Sequence, residues 1–152
     1  MTPAFVEGEV QKLLNEVETF THTGLRDRAL LATPAYTFAR IGSVVNLKVE
    51  DYYPSGKRFL LRFKEKGGKE KGLPVHHKLE EILDQYLKAT GLEKEPQSPL
   101  FPAAVRKTGK LSRRPLVRTD AADMLKRWLR QAGLPAFASL LPGNRHHEFS
   151  GE

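Results

Sequence analysis

The sequence predicts an α+β domain that is mainly helical and carries a small antiparallel sheet. Apolar residues recur at helical spacing in several separate stretches of the chain. Between two of these stretches, the segment from Phe59 to Lys64 alternates its side chains in the way that a strand does. A chain of 152 residues is long enough for one domain with a real core and leaves little room for a second.

The first two helices are predicted from apolar periodicity. The first opens at Thr2 or Pro3. The second runs from about Leu25 to Ala39, and it is apolar nearly all round after Arg28, so it should be central and buried. Pro34 lies inside this helix and removes a backbone donor, so we expect a kink or break there at a cost of about 3 kcal/mol.

A hairpin is predicted after a short helix that spans about Ile41 to Leu47. Gly67 and Gly68 form a turn signal, and the chain returns as a second strand from Lys69 to Val75. Lys66 therefore belongs near the tip of the hairpin, where its side chain can reach into a groove.

Two further helices complete the expected fold. A third long helix begins at His76 or His77 and stops at Gly91. After a basic loop from Arg106 to Arg118, a fourth helix is capped by Thr119 or Asp120 and ends at Gly133. Adjacent histidines do not share a helix face, so His76 and His77 are interpreted as surface or cap residues rather than a metal pair.

The composition favours an anionic partner. The formal net charge is +7, for which nucleic acid binding and solubility alone are about equally good explanations. No cysteine is present, which excludes disulfides and cysteine-based zinc sites. No apolar run is long enough to span a bilayer, and the start of the chain is not a signal peptide, so we expect a cytoplasmic protein. No metal cluster or other cofactor signal is seen.

Arg40 and Lys66 are the residues best suited to chemistry. Arg40 stands between two apolar runs that would hold it in place, and a guanidinium offers a two-pronged contact to phosphate oxygens. Lys66 stands beside two glycines, and its ammonium is a mobile charge that can give up a proton. This pair suits a phosphodiester. Taken alone, Arg40 is more often a surface arginine beside a helix, and Lys66 could be a solvated turn residue.

The surrounding motifs resemble a known family. The segments are LRDRALLA at Leu25–Ala32, YTFARIGSVVNLKVED around Arg40, EKGGKEKGLPVH around Lys66 and PLF at Pro99–Phe101. In order and spacing they resemble the catalytic domain of tyrosine recombinases, the phage integrase family. The resemblance runs from about Pro3 to Pro135.

The resemblance implies a mechanism and a set of roles. In this family a tyrosine attacks the scissile DNA phosphate, and arginines and histidines stabilise the charge that develops there, without a metal. Arg40 matches the first phosphate-binding arginine, and Lys66 matches the hairpin lysine that protonates the leaving hydroxyl. Six further basic residues are predicted to contact DNA or, equally, only water: Lys64, Lys69, Lys71, Arg113, Arg114 and Arg118. Ser43 stands where many members of the family carry an acidic residue.

The resemblance stops near Ala136. The family carries an H-x-x-R box followed by the nucleophilic tyrosine, and neither follows Ala136 in this sequence. The four tyrosines all come earlier in the chain. We therefore divide the chain into a partial integrase catalytic domain, residues 1–136, and a tail without family resemblance, residues 137–152, with the C-terminal helices of the fold missing.

A shift of reading frame near Phe137 would explain the tail. Residues Ala138 to Glu152 can be encoded so that reading one base later gives PHSFRATGITNSLE, which contains an H-x-x-R box at the expected distance. The third codon positions were chosen freely, but the first two bases are mostly fixed by the residues. The hypothesis is that an out-of-frame tail has replaced the second half of the active site.

The expected function is that of a site-specific recombinase fragment that binds duplex DNA and has lost strand cleavage. Two alternatives stay open: a non-catalytic DNA-binding module, and an interaction domain that associates with itself or modulates an intact recombinase.

Overall fold

The fold is built around five helices and two small sheets. The computed structural model describes residues 7–64 and 66–134. The helices are α1 (Glu7–Glu16), α2 (His22–Thr37), α3 (Ile41–Val45), α4 (His77–Thr90) and α5 (Arg118–Gln131). The strands are β1 (Tyr52–Ser55), β2 (Arg58–Lys64), β3 (Glu70–Pro74), β4 (Pro102–Val105) and β5 (Lys110–Pro115). The predicted start of α1 at Thr2 or Pro3 lies outside the described residues.

Helix α2 lies in the centre of the domain, as its apolar character predicted. Every residue from Ala29 to Pro34 is buried. The helix begins three residues earlier than expected, because the Thr21 hydroxyl accepts a hydrogen bond from the Gly24 amide at 2.9 Å and caps it. Burial of this helix on all sides makes it the element against which the others pack.

The predicted break at Pro34 is wrong, because α2 continues for three residues beyond it. Threonine hydroxyls on either side bond to the helix backbone: Thr33 to the Ala29 carbonyl at 2.8 Å and Thr37 to the Thr33 carbonyl at 2.7 Å. The Phe38 amide donates to the Pro34 carbonyl at 2.8 Å. Phe38 has φ 62, a left-handed conformation that ends the helix. Tertiary burial thus outweighs the loss of one helical donor.

The first sheet is antiparallel with the order β1-β2-β3. Its central strand, β2, is the strand that alternation predicted, and β1 adds an edge strand that was not predicted. Lys64 pairs with Glu70, and the chain turns between them. Gly67 and Gly68 both have φ of 81°, which a residue with a Cβ adopts only with strain, so the predicted glycine turn is confirmed.

The second sheet corrects the predicted basic loop. Residues between Arg106 and Arg118 are mostly a hairpin, in which β5 pairs antiparallel with β4. The hairpin turn is attached to the start of α2, since the Thr23 amide donates to the Gly109 carbonyl at 3.1 Å. Helix α5 begins at Arg118 after Val117, so the predicted caps lie inside its first turn.

Helix α4 has the predicted bounds. The His76 side chain accepts a hydrogen bond from the Lys78 amide at 3.1 Å, so His76 is a cap residue, as predicted. His77 stacks on His76 with ring centroids 4.4 Å apart. Gly91 has φ 77 and ends the helix.

A buried ion pair joins three distant elements. Arg26 donates to one Asp27 oxygen at 2.7 Å and to the Pro102 carbonyl at 2.8 Å. The other Asp27 oxygen accepts from the Trp128 indole at 3.1 Å. The network therefore fixes α5 and β4 against the first turns of α2, and it satisfies charges that would be costly to bury alone. Within the described ranges, no helix is long and apolar enough to cross a membrane.

Candidate functional site

The main pocket of the domain lies between α3 and the start of α5. Its volume is about 600 Å³. Arg40 lines the pocket and is the residue that precedes α3. Its backbone is extended (φ −72, ψ 148) and its side chain is exposed. Its carbonyl accepts the first hydrogen bonds of the helix. Arg118 contributes from the first residue of α5. The other lining residues are Gly42, Ser43, Val45, Asn46, Pro115, Leu116 and Val117.

The charge of this pocket is entirely positive. Two arginines and no carboxylate line it. Within residues 7–64 and 66–134, the side chains of Arg40 and Arg118 form no hydrogen bond and no ion pair. The N-terminal end of α5 also faces the pocket, and the positive end of a helix dipole favours an anion there. Two guanidinium groups with free donors suit an external phosphate.

A close contact brings Arg118 beside Arg40. A Cβ atom on Gly42 would lie 3.1 Å from Cδ of Arg118, so the arginine stem crosses the first turn of α3 where a glycine leaves room. Glycine at this position therefore lets the two guanidinium groups share one pocket. The sequence analysis named Arg118 only as one member of a basic loop.

The pocket continues along α3 into a second cavity. Ser43 and Asn46 line both, and the second has a volume of about 270 Å³. Its other lining residues are Leu47, Asp51, Arg62, Phe63 and Lys64. We call the two cavities together the basic groove; it is lined by Arg40 and Arg118 at one end and by Arg62 and Lys64 at the other.

Arg62 is held in one orientation. Its Nε donates to Asp51 at 3.1 Å, its Nη2 donates to the Glu50 carbonyl at 3.1 Å, and its guanidinium lies 5.0 Å from the centre of the Tyr53 ring. The hydrogen bond to Asp51 raises the pKa of Arg62 above its already high usual value. The sequence analysis read Arg62 only as a position in the strand alternation, because its partner Asp51 lies on a separate segment.

The structure describes the side chains of only some of the predicted hairpin lysines. Lys66 lies in the turn between β2 and β3, and its side chain falls outside the description, so the prediction that it meets Arg40 stays a prediction. Lys64 is exposed and lines the second cavity. Lys69 and Lys71 are exposed on the far side of the turn, and neither lines the basic groove.

The two remaining predicted arginines lie on β5. Arg113 forms a two-pronged ion pair with Glu95 at 2.7 and 2.9 Å, and this bond lowers the pKa of Glu95. Arg114 is exposed. Neither lines the basic groove, and their contact with DNA stays a prediction.

All four tyrosines of the sequence lie in the described ranges, and none lines the Arg40–Arg118 pocket. The Tyr52 hydroxyl donates to Asp84 at 2.9 Å, and the Tyr86 hydroxyl donates to the Leu100 carbonyl at 2.8 Å. Burial raises the pKa of both phenols, and for Tyr52 the Asp84 bond adds to the effect. Tyr53 lies under Arg62, and Tyr36 stacks on His76 at 4.7 Å.

A metal site is not indicated in the part of the chain that is described: no group of three His, Cys, Asp or Glu side chains there could hold an ion. The lining of the basic groove offers one carboxylate, Asp51, which is already bonded to Arg62 and to the Lys48 amide.

Comparison with known proteins decides the family. Residues 4–149 match the model of the phage integrase family. The chain belongs to the phage integrase family. The predicted resemblance is thus confirmed. The matched range extends past Phe137; residues 135–152 lie outside the description, and the interpretation of the tail stays a prediction.

Individual relatives support the same assignment. Tyrosine recombinase XerD of Xanthomonas axonopodis pv. citri is 28% identical over 151 residues, which cover 97% of this chain and 48% of that protein. Among solved structures, XerA recombinase gives a TM-score of 0.68 at 19% identity and covers 99% of this chain and 50% of that one. XerH bound to its difH substrate gives 0.67 at 20% identity, with 96% and 41% covered. The predicted fold class is confirmed, and the chain spans about half the length of these relatives.

Proposed function

We propose that this chain binds the backbone of duplex DNA through the basic groove, as the phosphate-holding part of a tyrosine recombinase catalytic domain. The observation that carries the proposal is the pocket in which Arg40 and Arg118 lie without a carboxylate or other charged partner in the described residues. Family membership supports DNA as the source of the phosphate, and the complex of XerH with difH DNA shows a relative of the same fold engaging that substrate.

Each basic residue has a distinct role in this proposal. Arg40 and Arg118 bind non-bridging phosphate oxygens and stabilise the negative charge that would build up during transfer of the phosphoryl group. In a complete active site, Lys66, presented by the Gly67–Gly68 turn, would give its proton to the leaving oxygen, which departs as a hydroxyl. Ser43 places a small neutral side chain on the pocket wall, so it does not reduce the positive charge that faces the phosphate.

The chain as given is proposed to bind DNA without cleaving it. Each of its four tyrosines is packed or bonded away from the Arg40–Arg118 pocket, and two of them have phenols that resist ionisation. Active-site groups that act as one unit lose most of their rate when one member is removed, which leaves binding and residual charge stabilisation.

Binding is tested by fluorescence anisotropy with a labelled duplex over a range of salt concentrations. We expect affinity to fall steeply with salt, and we expect Arg40→Gln and Arg118→Gln each to weaken binding. Arg58→Gln is the matched control, because it removes one exposed positive charge at the turn between β1 and β2, away from the groove lining. No binding at low salt, or equal losses in all three variants, would refute the proposal.

Cleavage is tested with a suicide duplex that carries a nick and traps a phosphotyrosyl link. We expect no protein–DNA adduct on a denaturing gel. An adduct that disappears on mutation of any one of the four tyrosines would show that the chain cleaves DNA, and it would identify the nucleophile.

The origin of the tail is tested at the level of the gene. We propose that the second half of the active site is encoded in the shifted frame beyond Phe137. Sequencing the encoding DNA through and beyond the codon for Glu152 decides this. A shifted frame that does not continue into a segment with an H-x-x-R box and a tyrosine would rule it out.

Association with a second protein molecule is the remaining part of the proposal. Phe20, in the loop between α1 and α2, is 85% exposed, and we propose that it contacts another copy of the chain or an intact recombinase. Light scattering with and without DNA measures the mass. We expect Phe20→Ser to reduce any dimer, and a monomer under all conditions would refute this part.

A further inference from the structure

We infer that the basic groove holds two neighbouring phosphates of one DNA strand, one at Arg40 and Arg118 and a second at Arg62 and Lys64. This inference rests on the proposed function, since it concerns the same groove. It assigns a binding role to Arg62, a residue that neither the sequence motifs nor the family match singled out.

The first support is continuity of the groove. Ser43 and Asn46 line both cavities, so the two cavities adjoin along a short face of neutral polar side chains. Both side chains are exposed and can donate hydrogen bonds to phosphate oxygens. A backbone that enters at Arg118 can therefore run along α3 to β2 without meeting an unpaired carboxylate among the lining residues.

The second support is the fixed orientation of Arg62. Asp51 and the Glu50 carbonyl take two of its donors, and Tyr53 supports the guanidinium face. A guanidinium has five N–H donors, so three remain, and Arg62 is one of the residues that line the second cavity. An arginine that is already ordered loses little side-chain entropy when a phosphate binds.

The third support is the charge balance at this end of the groove. Asp51 carries one negative charge, but it is 7% exposed and bonded to the Lys48 amide as well as to Arg62. Lys64 adds a second cation that forms no ion pair within the described residues. The lining of the second cavity therefore carries a net positive charge of one, because Asp51 offsets Arg62 and Lys64 remains.

The experiment compares the salt dependence of binding to a duplex for three variants: Arg62→Gln, Lys64→Gln and the matched control Arg58→Gln. All three residues lie on β2, and each change removes one positive charge. We expect Arg62→Gln and Lys64→Gln to lower the slope of log affinity against log salt by about 0.9 for each lost phosphate contact, with no change for Arg58→Gln.

Phosphate ethylation interference adds the position of each contact. We expect wild-type binding to be blocked by ethylation at two adjacent phosphates, Arg40→Gln to abolish the effect at one of them and Lys64→Gln to abolish it at the other. Loss of the same phosphate in both variants, or salt slopes for Arg62→Gln and Lys64→Gln equal to that of Arg58→Gln, would overturn the inference.

The variants also separate this inference from the proposed function. Arg62→Gln removes one hydrogen-bond partner of Asp51. If this variant does not fold, Lys64→Gln decides the result, because Lys64 is exposed. If Arg40→Gln weakens binding while the Arg62 and Lys64 variants behave like the control, only the second phosphate site is refuted. If the wild-type chain binds no DNA, both proposals are refuted.

Discussion

The stem of Arg118 lies directly over Gly42, with Cδ 3.1 Å from the place where a Cβ atom on Gly42 would be. This spacing is tighter than ordinary van der Waals contact, so a Cβ atom at position 42 requires the stem of Arg118 to move by a few tenths of an ångström. The packing of Arg118 against α3 is therefore sensitive to the residue at position 42.

We expect Gly42→Ala to separate stability from DNA binding. Alanine favours helix over glycine by up to about 1 kcal/mol, so stability should be unchanged or slightly higher. Affinity for DNA should fall by up to about tenfold, the worth of one charge-assisted hydrogen bond. Gly8→Ala is the control: Gly8 is also the second residue of its helix and has nothing within 4 Å of its added Cβ. Equal DNA affinity in both variants would contradict the role assigned to Arg118.

The hairpin tip provides a second prediction. Gly67→Ala and Gly68→Ala should each lower the free energy of unfolding by about 1–2 kcal/mol, because both residues have φ of 81°. Gly56→Ala is matched in strain, with φ 66, but it lies at the turn between β1 and β2. Urea unfolding should show similar losses in all three. Only the Gly67 and Gly68 variants should also weaken DNA binding, because they change the position of Lys66. Affinity is measured under conditions in which every variant is folded. A similar loss of affinity for Gly56→Ala would contradict this prediction.

The buried ion pair provides a third prediction. Asp27→Ala should destabilise the fold by about 3–5 kcal/mol, because it leaves the buried guanidinium of Arg26 without its counter-charge. Trp128→Phe removes only the indole hydrogen bond to Asp27 and should cost about 1 kcal/mol. Urea unfolding measures both losses, with the same slope of unfolding free energy against urea concentration in the two variants. Similar costs for the two variants would mean that the network is held by packing rather than by charge.

The buried phenols predict a loss of stability at high pH. A tyrosine in the unfolded chain ionises near pH 10, whereas burial raises the pKa of Tyr52 and Tyr86 in the folded chain. Their contribution is fully present below about pH 10 and is lost as pH rises through the folded values, so the free energy of unfolding should fall above about pH 10. Tyr52→Phe should make that fall shallower, as measured by urea unfolding at about pH 9 and about pH 11. An unchanged slope would show that Asp84 and burial do not hold this phenol protonated.

Much of the fold could be read from local pattern. The burial of α2 followed from its apolar residues, the hairpin tip from Gly67 and Gly68, and the end of α4 from Gly91, because each depends on neighbours in the sequence. The β4–β5 hairpin was missed because its residues do not alternate; pairing across the ladder and the bond from Thr23 to Gly109 hold it in place.

The site was less accessible to sequence reasoning. Arg40 was found because flanking apolar runs mark it, whereas the importance of Arg118 depends on a contact with Gly42 from a distant helix. Arg62 appeared to be a strand residue like its neighbours until Asp51, Glu50 and Tyr53 were seen around it. Arg26 and Asp27 were not singled out from the sequence, although they are buried. In each case the deciding partner comes from another element.

The link between Asp27 and Trp128 spans 101 positions in the chain, and helix α5, which it anchors, also carries Arg118. Contacts of such long range are slow to form during folding. A phosphate-bearing ligand in the Arg40–Arg118 pocket should therefore add its binding energy only to molecules in which α5 has docked. The melting temperature should then rise with the concentration of short duplex, because bound duplex stabilises the docked position of α5.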